Sequence, residues 1–372
     1  MRVIITCAGT GGHVNPGIAI ASIIKENQKD SEFLFIGTET GIENELVTKA
    51  NYNIAHIRTG KLYRKLTLKN FKSVFDTIAG INDAKKIIKE FKPNVVIGTG
   101  GYICGAVMIA ARKLKIPYIL HESNAFPGLA VKMLTKNAAR VLVGFEDTKT
   151  RLNNRQNVVY TGSPAKFNSE KIEKLDKEIC KKDLGLDNIP SGKKIIFVTG
   201  GSQGAKKFND TVINLALEKK SNKFFVVLCA GIKNYDELNN RLSKIKDADK
   251  YIKLERFIFD MDKMYKVSDL LVTRAGAMTI TELTLAAKPA ILVPFPYAAE
   301  NHQYYNAKVL EDAGAGKIII DGEFNEESLY NQIENIISSE DKLKIMSDNS
   351  KSLQKNDVEQ IIYNEIINVV NR

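Results

Sequence analysis

The chain has 372 residues, 44% of them apolar and 26% charged. That is the composition of a folded globular protein of about two to three domains, not of a disordered, collagen-like or coiled-coil chain. The net charge of +11 is lopsided: residues 1–164 carry 23 Lys and Arg against 12 Asp and Glu, whereas residues 165–372 carry 31 of each. The first half is therefore expected to meet something anionic, such as nucleic acid, a membrane surface or a phosphorylated substrate. No apolar run approaches the roughly 18 residues that span a bilayer. Met1-Arg2-Val3-Ile4-Ile5-Thr6-Cys7 runs straight into glycines, with no signal-peptide core. Cys7, Cys104, Cys180 and Cys229 form no C-x-x-C pair, which argues against zinc or a redox pair and points to the reducing cytosol.

The first expected strand, Val3–Cys7, ends in Gly9-Thr10-Gly11-Gly12-His13 and an apolar helix. Glycines there let the backbone approach a ligand, and a helix N-terminus offers N–H groups to an anion. The spacing is neither G-x-G-x-x-G nor a P-loop. A second strand is expected at Phe33–Ile36. Lys61, Arg64, Lys65, Lys69 and Lys72 then accompany Leu68, Phe71, Phe75 and Ile78 at helical spacing. This segment reads either as a solvated helix docked on its own core or as an interfacial helix on anionic lipid. Val95–Gly98 leads into another glycine turn, Gly98-Thr99-Gly100-Gly101-Tyr102, and Tyr118–His121 and Val141–Val143 complete the first series.

Between Gly162 and Lys194 the chain turns polar and lysine-rich, with Pro164, Gly185, Pro190 and Gly192, and the hinge is expected near Ser163–Lys166. The alternation then restarts: Ile195–Thr199, followed by Gly200-Gly201-Ser202-Gln203-Gly204-Ala205, then Phe224–Cys229, Ile252–Leu254, Leu270–Thr273 and Ile291–Val293. Short, near-continuous apolar runs separated by helices describe parallel strands covered on both faces. Two such series predict an α/β protein of two tandem doubly wound, Rossmann-like domains, with ligands at the carboxyl ends of the strands. The expected division is 1–164, 165–340 and a helical tail, 341–372, packing back on the first domain.

Thr273-Arg274-Ala275-Gly276-Ala277-Met278-Thr279-Ile280-Thr281-Glu282 is the most informative run. Thr279-x-x-Glu282 is a capping box by pattern. The same residues would also bind a diphosphate through the Ala277 and Met278 N–H groups and the Thr279 hydroxyl, with Glu282 accepting from vicinal ribose hydroxyls. Gln303 and Asn306, three apart on one helix, suit sugar hydroxyls, although amides at a strand edge also serve as caps.

With His121-Glu122-Ser123-Asn124 and Thr161-Gly162-Ser163-Pro164, these glycine turns, the Arg274–Glu282 run and Gln303-Tyr304-Tyr305-Asn306 closely resemble the MurG family of GT-B glycosyltransferases. The resemblance covers nearly the whole chain. It implies two sheets facing a cleft and transfer of N-acetylglucosamine (GlcNAc) from UDP-GlcNAc to the 4-hydroxyl of undecaprenyl-diphospho-muramoyl-pentapeptide (lipid I), with inversion, to make lipid II for the cell wall. Thr10, Gly11 and Gly12 would lie beside the diphosphates and Asn124 would reach a sugar. Ser202 would contact phosphate and Ile258 would hold uracil through its main chain. Ala277, Met278, Thr279, Ile280, Thr281 and Glu282 would bind diphosphate and ribose, and Gln303 would read the GlcNAc hydroxyls. Lys166 stands where the family usually has Arg, which keeps the charge but loses the planar fork.

Metal-independent chemistry without a cofactor is expected, carried by preorganised dipoles. His13 is the first candidate base, because imidazole titrates near neutrality and the turn aims it; it could instead hydrogen-bond its own turn. Glu122 is the second, with Asn124 orienting. The implied partners are UDP-GlcNAc, lipid I and an anionic membrane surface at the cytoplasmic face, with no nucleic acid. Another GT-B enzyme (a glycolipid transferase or a UDP-GlcNAc 2-epimerase) or a non-catalytic nucleotide-sugar scaffold would share the second half.

Overall fold

Apolar runs become parallel strands here because helices cover both faces of each sheet. The computed structural model describes residues 1–60, 68–165, 167, 169–201 and 205–372, with the backbone alone for 68–74. The chain divides into two units, Met1–Lys166 with Lys355–Arg372, and Phe167–Gln354.

In the first unit β1 (Arg2–Thr6), α1 (Gly11–Asn27), β2 (Glu32–Gly37), α2 (Glu43–Lys49) and β3 (Asn53–His56) are followed by α3 (Leu68–Phe91). Then come β4 (Val95–Gly98), α4 (Cys104–Lys113), β5 (Tyr118–Glu122), α5 (Leu129–Leu134), β6 (Arg140–Val143), α6 (Asp147–Arg151) and β7 (Val158–Tyr160). The sheet is parallel throughout, in the order β3-β2-β1-β4-β5-β6-β7. Val3, Ile5, Ile97, Ile119 and Leu142 face α1, while Ile4, Val96, Leu120, Val141 and Val143 face α3 and α4. That alternation buries every central strand on two sides.

The second unit opens with α7 (Ser169–Glu173) and α8 (Lys177–Asp183), two short helices packed on α11 (Met261–Val267). It continues through β8 (Lys194–Thr199), α9 (Lys206–Lys219), β9 (Phe224–Cys229), α10 (Tyr235–Leu242), β10 (Ile252–Glu255), α11 (Met261–Val267) and β11 (Leu270–Thr273). After these come α12 (Ala277–Leu285), β12 (Ala290–Leu292), α13 (His302–Asp312), β13 (Gly316–Ile318), α14 (Glu326–Ile337) and α15 (Glu340–Ser352). Its parallel sheet runs β10-β9-β8-β11-β12-β13.

The tail does not act as one piece on the first unit. α15 buries Leu343 and Met346 in the core of the second unit, and Ser347 and Ser350 donate to the Ala287 and Leu283 carbonyls. α16 (Val358–Val370) buries Ile362, Ile366 and Val369, a stripe at helical spacing, against the α1 side of the first unit. The Arg140–Glu365 pair, 2.7 Å apart and largely buried, ties it to β6.

Candidate active site

In a doubly wound sheet, ligands collect where the strand order reverses, at the carboxyl ends. In the first unit that point lies between β1 and β4, and both of the glycine turns expected in the first half sit there. Gly9 has φ +98° and Thr10 is extended at the N-terminus of α1, exposed and making no side-chain cap. The Gly11 and Gly12 amides therefore begin a 17-residue helix whose N-terminus no side chain caps. Gly100 and Gly101 take φ +118° and +89°, and a Cβ on Gly101 would lie 2.3 Å from the Ala8 carbonyl oxygen. The two turns interlock only because neither glycine has a side chain.

His13 stands in the first turn of α1 with its ring on Gly100. The Thr99 hydroxyl donates to the His13 carbonyl at 2.6 Å and fixes its backbone. Burial lowers the imidazole pKa below the ordinary histidine value, and a hydrogen bond with the Thr99 main chain acts the other way.

Glu43, absent from the sequence reading, is what holds the Gly9 turn. It is fully buried. Its Oε2 accepts from the Gly9 N–H at 3.3 Å and its Oε1 from the Thr38 N–H and hydroxyl at 3.0 and 2.6 Å. Burial pushes this carboxyl up, but the bonds from Thr38 and Gly9 outweigh it and hold the pKa below the usual range. Gly37 and Gly41 leave it room, since a Cβ on either would lie within 3 Å of the Glu43 side chain.

At the end of β5, Glu122 is 5% exposed. Its Oε1 accepts from both the Asn124 main-chain and side-chain N–H groups at 3.0 Å, and its Oε2 from the Gly128 N–H at 2.8 Å. Glu122 thus holds Asn124 and the loop beyond it. His121 is fully buried beneath, and burial lowers its pKa to about 4 against a bond with the Gly162 main chain.

In the second unit the reversal falls between β8 and β11. Gly200 and Gly201 follow β8, with Gly201 at φ +94°. Ser202 and Lys166 lie outside the described residues. After β11, Gly276 is the extended N-cap of α12, which no side chain caps. The capping box expected from Thr279 and Glu282 does not form, because Thr279 is the third helical residue and Glu282 the sixth. Helix-end N–H groups over Ala277, Met278 and Thr279 therefore remain for an anion. Ile280 is wholly buried and Ala277 nearly so, leaving them only main-chain roles at a site. Thr281 donates to the Ala277 carbonyl at 3.2 Å. Glu282 accepts from the Tyr265 hydroxyl at 2.8 Å. Ile258, buried between exposed Phe257 and Phe259, lies in the turn after β10.

Three polar side chains brace the turns after β11 and β12. Arg274 bonds the Val293 and Pro294 carbonyls and the Asp321 carboxylate, the last at 2.6 Å. Gln303 Oε1 accepts from the Phe295 N–H at 2.9 Å, which directs its amide group along the same loop. Asn306, expected on a sugar face, is instead fully buried and donates to the Ala275 carbonyl at 3.1 Å. Just before α13, Glu300 and Asn301 are both left-handed, at φ +52° and +53°, and reverse the chain into that helix.

The remaining histidines bond locally, His56 to Asn44 and His302 to the Ala299 carbonyl, both at 2.7 Å. Among the described residues no group of three or more His, Cys, Asp or Glu is placed to hold a metal ion, and no helix is long and apolar enough to cross a membrane.

Two doubly wound units, each with glycine turns at its reversal point, define the GT-B fold. Residues 3–143 match the glycosyltransferase family 28 N-terminal domain and residues 195–362 the glycosyltransferase family 28 C-terminal domain. The chain is 40% identical to the UDP-N-acetylglucosamine–N-acetylmuramyl-(pentapeptide) pyrophosphoryl-undecaprenol N-acetylglucosamine transferase of Acetivibrio thermocellus, over 99% of this chain and 97% of that protein. The crystal structure of Acinetobacter baumannii MurG superposes with a TM-score of 0.77 at 28% identity, covering 99% of both chains. A UDP-GlcNAc 2-epimerase from Neisseria meningitidis bound to UDP-GlcNAc shares the fold, with a TM-score of 0.66 at 15% identity over 99% of this chain and all of that one. The chain belongs to the MurG family, within glycosyltransferase family 28.

Proposed function

We propose that this chain moves GlcNAc from UDP-GlcNAc to the 4-hydroxyl of the muramoyl sugar of lipid I, making lipid II. The observation that carries this reading is the whole-length 40% identity to a transferase named for that donor and acceptor. The uncapped start of α12 supplies the physical reason for a diphosphate.

The second unit grips the donor. Main-chain N–H groups of Ala277, Met278 and Thr279, with the Thr279 hydroxyl, take the diphosphate, and their dipole stabilises UDP as it leaves. Glu282 accepts from the ribose hydroxyls, the Ile258 main chain holds uracil and the Gln303 amide reads GlcNAc. Ser202 and Lys166 add phosphate contacts, as the family resemblance implies. In the first unit, the Gly11 and Gly12 amides beside Thr10 offer a second anion site. Asn124, held by Glu122, orients a sugar.

His13 is the general base. Its lowered pKa keeps the ring neutral at working pH and so able to accept a proton. The acceptor oxygen attacks the anomeric carbon as the bond to the diphosphate breaks on the opposite face. The hydroxyl proton passes to His13, and UDP departs with the bonding electrons, so the configuration inverts. No resident metal is needed, because the helix end does the work of a cation.

The first unit also meets the membrane. α3 and α5 both pack on α4 and expose Phe75 and Ile78, and Leu129 and Met133, respectively. Exposed apolar side chains beside a basic segment fit a peripheral site on anionic lipid at the cytoplasmic face. Labelled UDP-GlcNAc with a lipid I analogue, with and without EDTA, tests the reaction. Label incorporated equally in both arms supports it, and label recovered only as free sugar or epimer refutes it.

A further inference from the structure

Tyr265 lies on α11 in the core of the second unit, 1% exposed, with its ring 5.6 Å from that of Phe167 and edge-on to Phe197 at 6.5 Å. Hydrophobic packing explains the ring but not the hydroxyl, because an unpaired buried phenol is costly. The hydroxyl reaches the Glu282 carboxylate at 2.8 Å. Burial and that carboxylate both raise the phenol pKa well above 10, so it remains a donor at any working pH.

We propose that Tyr265 is a positioning residue of the donor site: its phenol, without touching the nucleotide, fixes the Glu282 carboxylate as an acceptor for the ribose hydroxyls. This rests on the reading that Glu282 takes the ribose. A carboxylate on the second turn of α12 has several rotamers open to it. The bond from a rigid, buried donor narrows those rotamers and fixes Oε2, and with it the plane of the carboxylate. Recognition of a diol requires that direction, since the gap between two vicinal hydroxyls is met by one carboxylate plane. The core therefore writes ribose specificity into the site from behind.

Calorimetric titration of UDP and 2′-deoxy-UDP into the full chain tests this. The wild type prefers UDP. In Tyr265→Phe, which keeps the ring packing, that preference falls about five- to tenfold, while 2′-deoxy-UDP, which keeps one of the two hydroxyls, loses less affinity than UDP. Glu282→Ala abolishes the preference, and adding Tyr265→Phe to it changes nothing more. This double variant also separates a packing defect from loss of the bond, because a defect caused by Tyr265→Phe would persist in it. A wild-type preference in Tyr265→Phe beside its loss in Glu282→Ala overturns the role of Tyr265 and leaves the ribose reading standing. A further loss of UDP affinity in the double variant also overturns it. A preference that survives Glu282→Ala overturns the ribose reading and this inference with it.

Discussion

The His13 imidazole rests directly on Gly100: a Cβ added there would be 2.3 Å from Nδ1. Gly100 also has φ +118°, where an L side chain adds about 1–3 kcal/mol of backbone strain. Gly100→Ala should therefore displace the ring and lower kcat by about a hundredfold to ten-thousandfold, the usual worth of a general base. UDP affinity, set in the other unit, should not move. Gly105→Ala on α4, where a Cβ meets nothing within 4 Å, is the control and should gain up to about 1 kcal/mol. Steady-state rates with nucleotide titration separate the two.

Acid should act twice. Burial makes neutral His13 the favoured form in the folded protein, so kcat/KM should hold through pH 6.5 and fall only below it, and His13→Ala should abolish this acid limb. Stability has its own titration through His121, whose pKa of about 4 lies below the ordinary 6.5. The unfolded chain takes up that proton first as pH drops. Stability from this group is complete above pH 6.5 and is lost progressively down to about pH 4, a total of about 3 kcal/mol. Chemical denaturation between pH 7 and 4 should show that slope, and His121→Gln should flatten it.

Glu122 accepts three N–H bonds, so Glu122→Gln must set an amide donor against a main-chain or Asn124 donor whichever way it flips. The expected cost is about 1–3 kcal/mol in stability, with a lower kcat from a misplaced Asn124. The acid limb of kcat/KM should remain. Its disappearance in Glu122→Gln would transfer the role of base from His13 to Glu122.

Phe75 and Met133 are 71% and 72% exposed, and inserting such a side chain in lipid is worth about 1.5–3 kcal/mol. Phe75→Ser and Met133→Ser should each lower retention on vesicles containing anionic lipid by about tenfold or more. Lys65→Glu, Lys69→Glu and Lys72→Glu together should lower it further and make the remainder insensitive to salt. Co-sedimentation measures both effects.

The sequence pattern exposes the sheet interiors and misses their margins. β3, β7 and β13 went unread, and all three lie at sheet edges, while the fourth edge strand, β10, was read as Ile252–Leu254. Asn53–His56 is half-buried only at Ile54 and Ala55 and polar at both ends, so no continuous apolar run forms there. The glycine turns were legible because backbone approach leaves a residue-type signature. Glu43 and Tyr265 were not, since each acts through a partner remote in sequence, Glu43 on Gly9 and Tyr265 on Glu282. Asn306 misled for the opposite reason: an amide bonding a carbonyl in the core and one bonding a sugar carry the same letter. The helix expected over Lys61–Ile78 begins at Leu68, and Lys61, Arg64 and Lys65 lie outside the described residues.

The grip of the α12 N-terminus on the donor is tested most directly by a crystal structure of the chain with UDP. The diphosphate oxygens should lie about 2.7–3.2 Å from the main-chain nitrogens over Ala277, Met278 and Thr279, with the ribose on Glu282. Nucleotide bound elsewhere, or none at saturating UDP, would contradict the account.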